Sequence, residues 1–174
     1  DETYKHLGLE KGNYGVLTLH RPSSVDDPAT LKKICLALKR VTEKSRLVFP
    51  IHPRTKKNFE AFGLIKILES VKNLILIEPL SYIPFMSLVL NSRFVITDSG
   101  GIQEETTYLG IPCLTLRPNT ERPITITKGT NRLCKVHEIE RNIKDILNKS
   151  FTARGIPELW DGNSAKRVMN SIKQ

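Results

Sequence analysis

The chain predicts a doubly wound α/β domain of Rossmann type, a parallel sheet of about six strands with helices on both faces. Three observations predict it. Short apolar, β-branched runs recur along the chain, stretches of helical period separate them, and Gly, Pro and charged residues gather where the runs end. At 174 residues the chain is long enough for one domain with a sizeable core.

Residues 1–13 are polar with two glycines and read as a linker or lead-in, with the domain expected over residues 14–174. Opening on Asp1 rather than Met, the chain reads as a piece of something longer. Tyr14 to His20 is the first strand, and Arg21 to Asp26 a loop. Asp27-Pro28 starts a helix with a capping residue followed by Pro at its first position. Leu31, Ile34, Leu38 and Val41 stripe that helix to about Lys44.

Arg46 to Ile51 is the second strand, followed by His52-Pro53-Arg54 and a basic helical stretch through Phe62. After Gly63, the residues Leu64, Ile67, Leu68 and Val71 make another helix face. Leu74 to Ile77 is the third strand, ending at Glu78-Pro79-Leu80, and Tyr82 to Leu90 a very apolar helix with Pro84 in its first turn. Phe94-Val95-Ile96 is the fourth strand, Pro112 to Leu116 the fifth and Arg132 to Val136 the sixth. Ile139, Ile143, Ile146 and Leu147 stripe a helix ending near Lys149. A polar link with Gly155 and Pro157 leads to a last helix, with Ala165, Val168, Met169 and Ile172 on one side.

Hydrophobic content is 39% and the formal net charge +9, with a pI near 9.6. That charge admits an anionic partner. Basic residues are nevertheless spread over nearly every segment, and the aromatic content of 6% carries no RNA-binding pattern, so nucleic acid is not expected. Cys35, Cys113 and Cys134 lie far apart without zinc spacing; Cys35 and Cys113 read as small core residues, and a cytoplasmic location is expected. No apolar run approaches the ~18 residues of a membrane span, so no membrane partner is expected.

Ligands in such sheets bind outside the carboxyl ends of the strands, where strand order reverses. His20, His52, Glu78-Pro79 and Asp98-Ser99-Gly100 all fall just past strand ends and are expected on one rim. Thr97 to Glu105 reads as a strand end, a small-residue turn and a helix N-terminus, with Ile102, Thr106 and Leu109 on its buried side. Free N–H groups there attract phosphate, glycines let it approach, and Ser99 adds a hydroxyl. The competing reading makes Ser99 an N-cap. The turn after the first strand lacks G-x-G-x-x-G and no Walker loop occurs, so neither NAD nor ATP is indicated.

His20 and Arg21 can both donate to a diphosphate. At ~100° per residue, Glu105 falls about 60° from Ile102, beside the buried stripe, and suits two ribose hydroxyls; Glu104, at about 200°, faces solvent. Arg117 to Pro123 is a charged, proline-stiffened loop from which Arg122 can close on a phosphate, with Thr120 and Glu121 beside it.

Together these residues resemble the C-terminal half of the non-hydrolysing UDP-N-acetylglucosamine 2-epimerases, a family of two-domain GT-B architecture. The carriers are Leu19-His20-Arg21 with Asp26, Ile51 to Arg54, Glu78-Pro79-Leu80, the Thr97 to Glu105 string, Leu116-Arg117 with Thr120 to Pro123, and Ile156 to Gly162. The resemblance implies that Ser99, Gly100 and Gly101 hold a diphosphate, Glu105 the ribose, and Pro79 and Phe85 the uracil. His20 and Arg122 approach the phosphates, and His20 is the expected catalytic residue. Arg21 and His52 match positions where relatives bind a second, allosteric UDP-GlcNAc.

One departure is His20-Arg21-Pro22-Ser23-Ser24, where the family commonly has H-R-x-E-N. The implied reaction is anti elimination of UDP and re-addition, with acid and base carboxylates on an N-terminal domain that this chain lacks. It implies no redox cofactor and no metal, a UDP-sugar substrate, and a homodimer at full length. A hydrolysing 2-epimerase releasing ManNAc and the donor-binding domain of a GT-B glycosyltransferase remain open alternatives.

Overall fold

A computed structural model describes residues 2–152 and 155–173. Asp1 of the expected lead-in, Ala153-Arg154 of the expected polar link and Gln174 lie outside the described residues. The strands are β1 (Tyr14–Thr18), β2 (Arg46–Pro50), β3 (Leu74–Ile77), β4 (Phe94–Thr97), β5 (Cys113–Thr115) and β6 (Asn131–Leu133). They form one parallel sheet in the order β3-β2-β1-β4-β5-β6, so strand order reverses between β1 and β4.

The helices are α1 (Thr3–His6), α2 (Pro22–Val25), α3 (Pro28–Thr42), α4 (Pro53–Ala61), α5 (Ile65–Glu69), α6 (Tyr82–Leu90), α7 (Gly100–Leu109), α8 (Pro123–Thr127), α9 (Ile139–Leu147) and α10 (Ser164–Ile172), with a 3₁₀ turn at Val136–Glu138. Alternation along the strands divides the core between two faces. Leu17, Leu19, Leu47, Phe49, Phe94, Ile96 and Leu114 pack under the stripes of α3 and α9. Tyr14, Val16, Val48 and Val95 pack under Leu88, Val89 and Ile111 on the opposite face.

Local chemistry explains the boundaries. The Asp27 carboxylate caps α3 by accepting from Thr30 N at 2.7 Å, with Pro28 at the first helical position. His52 caps α4 in the same way, its Nδ1 accepting from Arg54 N at 3.2 Å. Gly110 ends α7 at φ +72°, a left-handed C-cap that glycine adopts without strain. Gly15 stands opposite Phe94 in the sheet, and a Cβ there would lie 2.2 Å from the Phe94 ring. The ring occupies the space that any other side chain at position 15 would need.

Several elements depart from expectation. Residues 3–6 form a helical turn, Tyr4 stacks on Tyr14 at 6.5 Å, and Leu9 is buried, so this part of the lead-in packs on the domain. Arg21 to Asp26 is not a plain loop, because Pro22 opens the short helix α2. Ile67 is exposed, because α5 is only five residues long and turns Ile65 and Leu68 inward instead. α8 follows the Arg117 loop without a periodic signal, five residues being too few for one. The apolar side of α10 is not buried: Val168, Met169 and Ile172 are each more than half exposed.

Candidate functional site

The switch point brings the end of β1 against the end of β4. Asp98, the residue after β4, is completely buried. Its carboxylate accepts from His20 N at 3.0 Å and Arg21 N at 2.9 Å, closing the turn that follows β1. The same carboxylate lies 3.2 Å from His20 Nδ1 and orients the imidazole, which leaves Nε2 for a ligand. A carboxylate so placed organises one wall of the site, a role the sequence reading did not assign to it.

Ser99 is the residue before α7, yet its hydroxyl does not cap the helix. Its N–H instead donates to Thr97 Oγ1 at 2.9 Å. Ser99 thus holds the N-cap position of α7 without a capping hydrogen bond from its side chain, and the residue lines the cleft beside the first N–H groups of α7. Gly100 opens the helix where a Cβ would meet the Glu121 carboxylate at 3.0 Å, whereas Gly101 has open space. The buried side of α7 is Gln103, Thr106 and Thr107; Ile102 and Leu109, expected there, are half-buried. Gln103 was missed as a structural residue. Its Nε2 donates to Ser99 O at 3.0 Å, while its Oε1 accepts from Thr120 Oγ1 at 2.6 Å and Asn131 Nδ2 at 3.1 Å. A polar residue one position from an expected apolar stripe was the available signal.

A cleft of about 230 Å³ opens at this rim, lined in part by Thr18, His20, His52, Pro79, Phe85 and Ser99. Four expected ligand residues, His20, Pro79, Phe85 and Ser99, thus share one cavity. His52 joins them, its ring 5.6 Å from that of His20. The rest of His52-Pro53-Arg54 is structural: Arg54 Nε donates to Asp26 Oδ1 at 3.0 Å and ties α4 to the end of α2.

Glu105 and Arg122 lie outside that cavity. Glu105 lines a neighbouring cleft of about 450 Å³ with Glu104, Tyr108, Leu159, Trp160, Gly162 and Ser164. Its charge, and a hydrogen bond from the phenol, hold the Tyr82 hydroxyl above the usual tyrosine pKa. Glu104 is not simply solvated, since its carboxylate pairs with Arg122 Nε at 3.1 Å. Arg21 pairs with Glu121 at 3.4 Å, and Arg117 pairs with the same carboxylate at 2.8 Å. Among the described residues, no group of three or more His, Cys, Asp or Glu side chains could hold a metal ion. No helix among them is long and apolar enough to cross a membrane.

Fold and cleft define a doubly wound parallel domain whose switch point presents a helix N-terminus and a histidine at the crevice where sheets of this class receive ligands. The chain belongs to the UDP-N-acetylglucosamine 2-epimerase family, whose model matches residues 1–173. It is 39% identical over 166 residues to UDP-N-acetylglucosamine 2-epimerase of Methanococcus maripaludis, covering 91% of this chain and 44% of that protein. It is 38% identical over 163 residues to UDP-2,3-diacetamido-2,3-dideoxy-D-glucuronate 2-epimerase of Pseudomonas aeruginosa, covering 91% and 44%. The Methanocaldococcus jannaschii UDP-GlcNAc 2-epimerase in complex with UDP-GlcNAc and UDP superposes with a TM-score of 0.83 at 34% identity, over 99% of this chain and 48% of that one. The chain spans about half the length of the relatives it matches.

Proposed function

We propose that this chain is the UDP-binding, C-terminal half of a UDP-N-acetylglucosamine 2-epimerase that interconverts UDP-GlcNAc and UDP-ManNAc. The observation that carries the reading is the shared cleft of His20, Pro79, Phe85 and Ser99 at the switch point. The uracil packs against Pro79 and Phe85. The diphosphate takes the Ser99 hydroxyl and the N–H groups of Gly100 and Gly101 at the positive end of α7. Ribose hydroxyls reach Glu105, on the outer side of the same helix. Arg122 approaches the phosphates only by releasing Glu104, its present partner.

In this reaction the C2 proton is removed as the C1–O bond to UDP breaks, leaving a glycal and free UDP. UDP then re-adds at C1 while a proton enters the opposite face of C2. This half stabilises the departing diphosphate; His20, whose Nδ1 faces the Asp98 carboxylate, donates in its imidazolium form from Nε2 to the charge that develops there. The proton chemistry at C2 belongs to carboxylates of a further domain. A cleft formed with that domain is also where Arg21 and His52 would meet a second UDP-GlcNAc.

The isolated chain therefore binds UDP weakly and does not epimerise. Calorimetry with UDP and a solvent-deuterium exchange assay at C2 test both statements. Exchange catalysed by this chain alone would remove the assignment of the proton chemistry to another domain. The diacetamido-glucuronate relative favours a second reading, in which the nucleotide contacts stay the same and the sugar differs. Product analysis of the full-length enzyme separates these, and separates epimerisation from hydrolysis to ManNAc or transfer to an acceptor.

A further inference from the structure

The Arg117 to Pro123 loop carries a carboxylate to the place reserved above for a phosphate. Glu121 Oε1 stands 3.0 Å from where a Gly100 Cβ would be, and Arg21 Nη2 stands 3.8 Å from the same point. Two guanidinium groups hold the carboxylate: Arg117 Nη2 at 2.8 Å and Arg21 Nη2 at 3.4 Å. Arg117 is largely buried, and its Nη1 has no hydrogen-bond partner, so this guanidinium keeps unused donor capacity beside the carboxylate. The loop is pinned on both sides of Glu121. Thr120 Oγ1 donates to Gln103 at 2.6 Å, and Arg122 pairs with Glu104 at 3.1 Å. The Arg117 hydrogen bond, with Glu121's own N–H next, lowers the Glu121 carboxyl to about 2, so the group is an anion throughout the neutral range.

We propose that Glu121 is an internal anion that occupies the diphosphate subsite in the unliganded chain and is exchanged for a phosphate of the ligand. The proposal rests on the UDP-binding reading of this cleft. A phosphate arriving over Gly100 meets the carboxylate as a like charge within contact distance, and the loop must carry it away. Arg21 and Arg117 then turn from carboxylate to phosphate oxygen, a trade between two anions that a guanidinium fork accepts equally well. Each guanidinium is paired with an anion at both ends of the exchange. The closed loop thus competes with the diphosphate and has no quarrel with the nucleoside.

The test is calorimetry on this chain and its Glu121→Gln and Glu121→Ala variants, using UDP, uridine and inorganic pyrophosphate as probes. Glu121 is half exposed, so both variants are expected to fold, and a circular-dichroism melt checks this. Removing the competing charge is expected to tighten UDP and pyrophosphate by about five- to tenfold while leaving uridine unchanged. If Glu121 instead serves to position Arg21 for the ligand, both variants weaken both phosphate probes, and the internal-anion proposal is overturned. Unchanged affinity for both phosphate probes overturns it as well. Should no form of the chain bind UDP, the nucleotide reading fails, while the pyrophosphate comparison still decides whether Glu121 competes for the subsite.

Discussion

Replacing Asp98 by Ala tests whether one buried carboxylate joins the two halves of the site. In the parent chain it receives the N–H groups of His20 and Arg21 at 3.0 and 2.9 Å, with His20 Nδ1 at 3.2 Å. Truncation strands two backbone donors in a region where Asp98 itself is 0% exposed. Each stranded donor costs about 1–3 kcal/mol, and removing a buried charge returns part of its desolvation, so a net loss of about 2–4 kcal/mol is expected. Asp98→Asn keeps an acceptor oxygen but sets an amide N–H among donors, and is expected to lose about 1–2 kcal/mol. Urea unfolding followed by circular dichroism reads both. With a slope of about 2 kcal/mol per molar, the Ala variant shifts the midpoint down by about 1–2 M at constant slope. An Ala variant within about 0.5 kcal/mol of the parent would refute the reasoning, because the donors must then have found other partners.

Gly15→Ala places a methyl 2.2 Å from the Phe94 ring and 2.8 Å from Leu47 Cδ2, and is expected to destabilise by about 1–3 kcal/mol in the same assay. Phe94→Leu in the same chain should recover part of that loss, and a purely additive double variant would count against the packing account. Burial pushes the thiols of Cys35, Cys113 and Cys134 up to about 11, so at pH 8 a disulfide reagent should label the folded chain slowly and all three thiols rapidly in urea. Glu121 and Asp161 are both lowered to about 2, by the Arg117 hydrogen bond and by the Asn163 N–H respectively. Lowered carboxyls bind fewer protons folded than unfolded, so their stabilisation is complete above the ordinary carboxylate range and fades as pH falls from about 4.5 toward 2. Glu121→Gln should therefore flatten the acid limb of the melting temperature, and an unchanged limb would show that this carboxyl does not contribute.

Much of the domain was legible in the residues themselves. Six apolar runs gave six strands, and the stripes of α3 and α9 are buried as their spacing requires. Residues just past strand ends did collect on one rim, because a parallel sheet puts all its carboxyl ends together. Misreadings came where the signal was short or the partner distant. α2 and α8 are four and five residues long, below any helical period, and each begins at a proline that also suits a loop. Glu104 reads as solvated on a helical wheel, which contains no Arg122. The apolar side of α10 reads as core on amphipathicity alone, yet nothing among the described residues buries it.

By itself, then, the sequence determined the alternating α/β character, the strand-end positions of His20 and Asp98, and the glycine turn that opens α7. These follow from interactions within a few residues, where side-chain period and turn chemistry decide the backbone. Only the tertiary structure decided that β1 lies beside β4, so that Asp98 closes the turn carrying His20 and Glu121 comes to rest on Gly100. Those pairs are 78 and 21 positions apart in the chain. Their meeting depends on strand order and crossover packing, which the whole core sets and which no local pattern encodes.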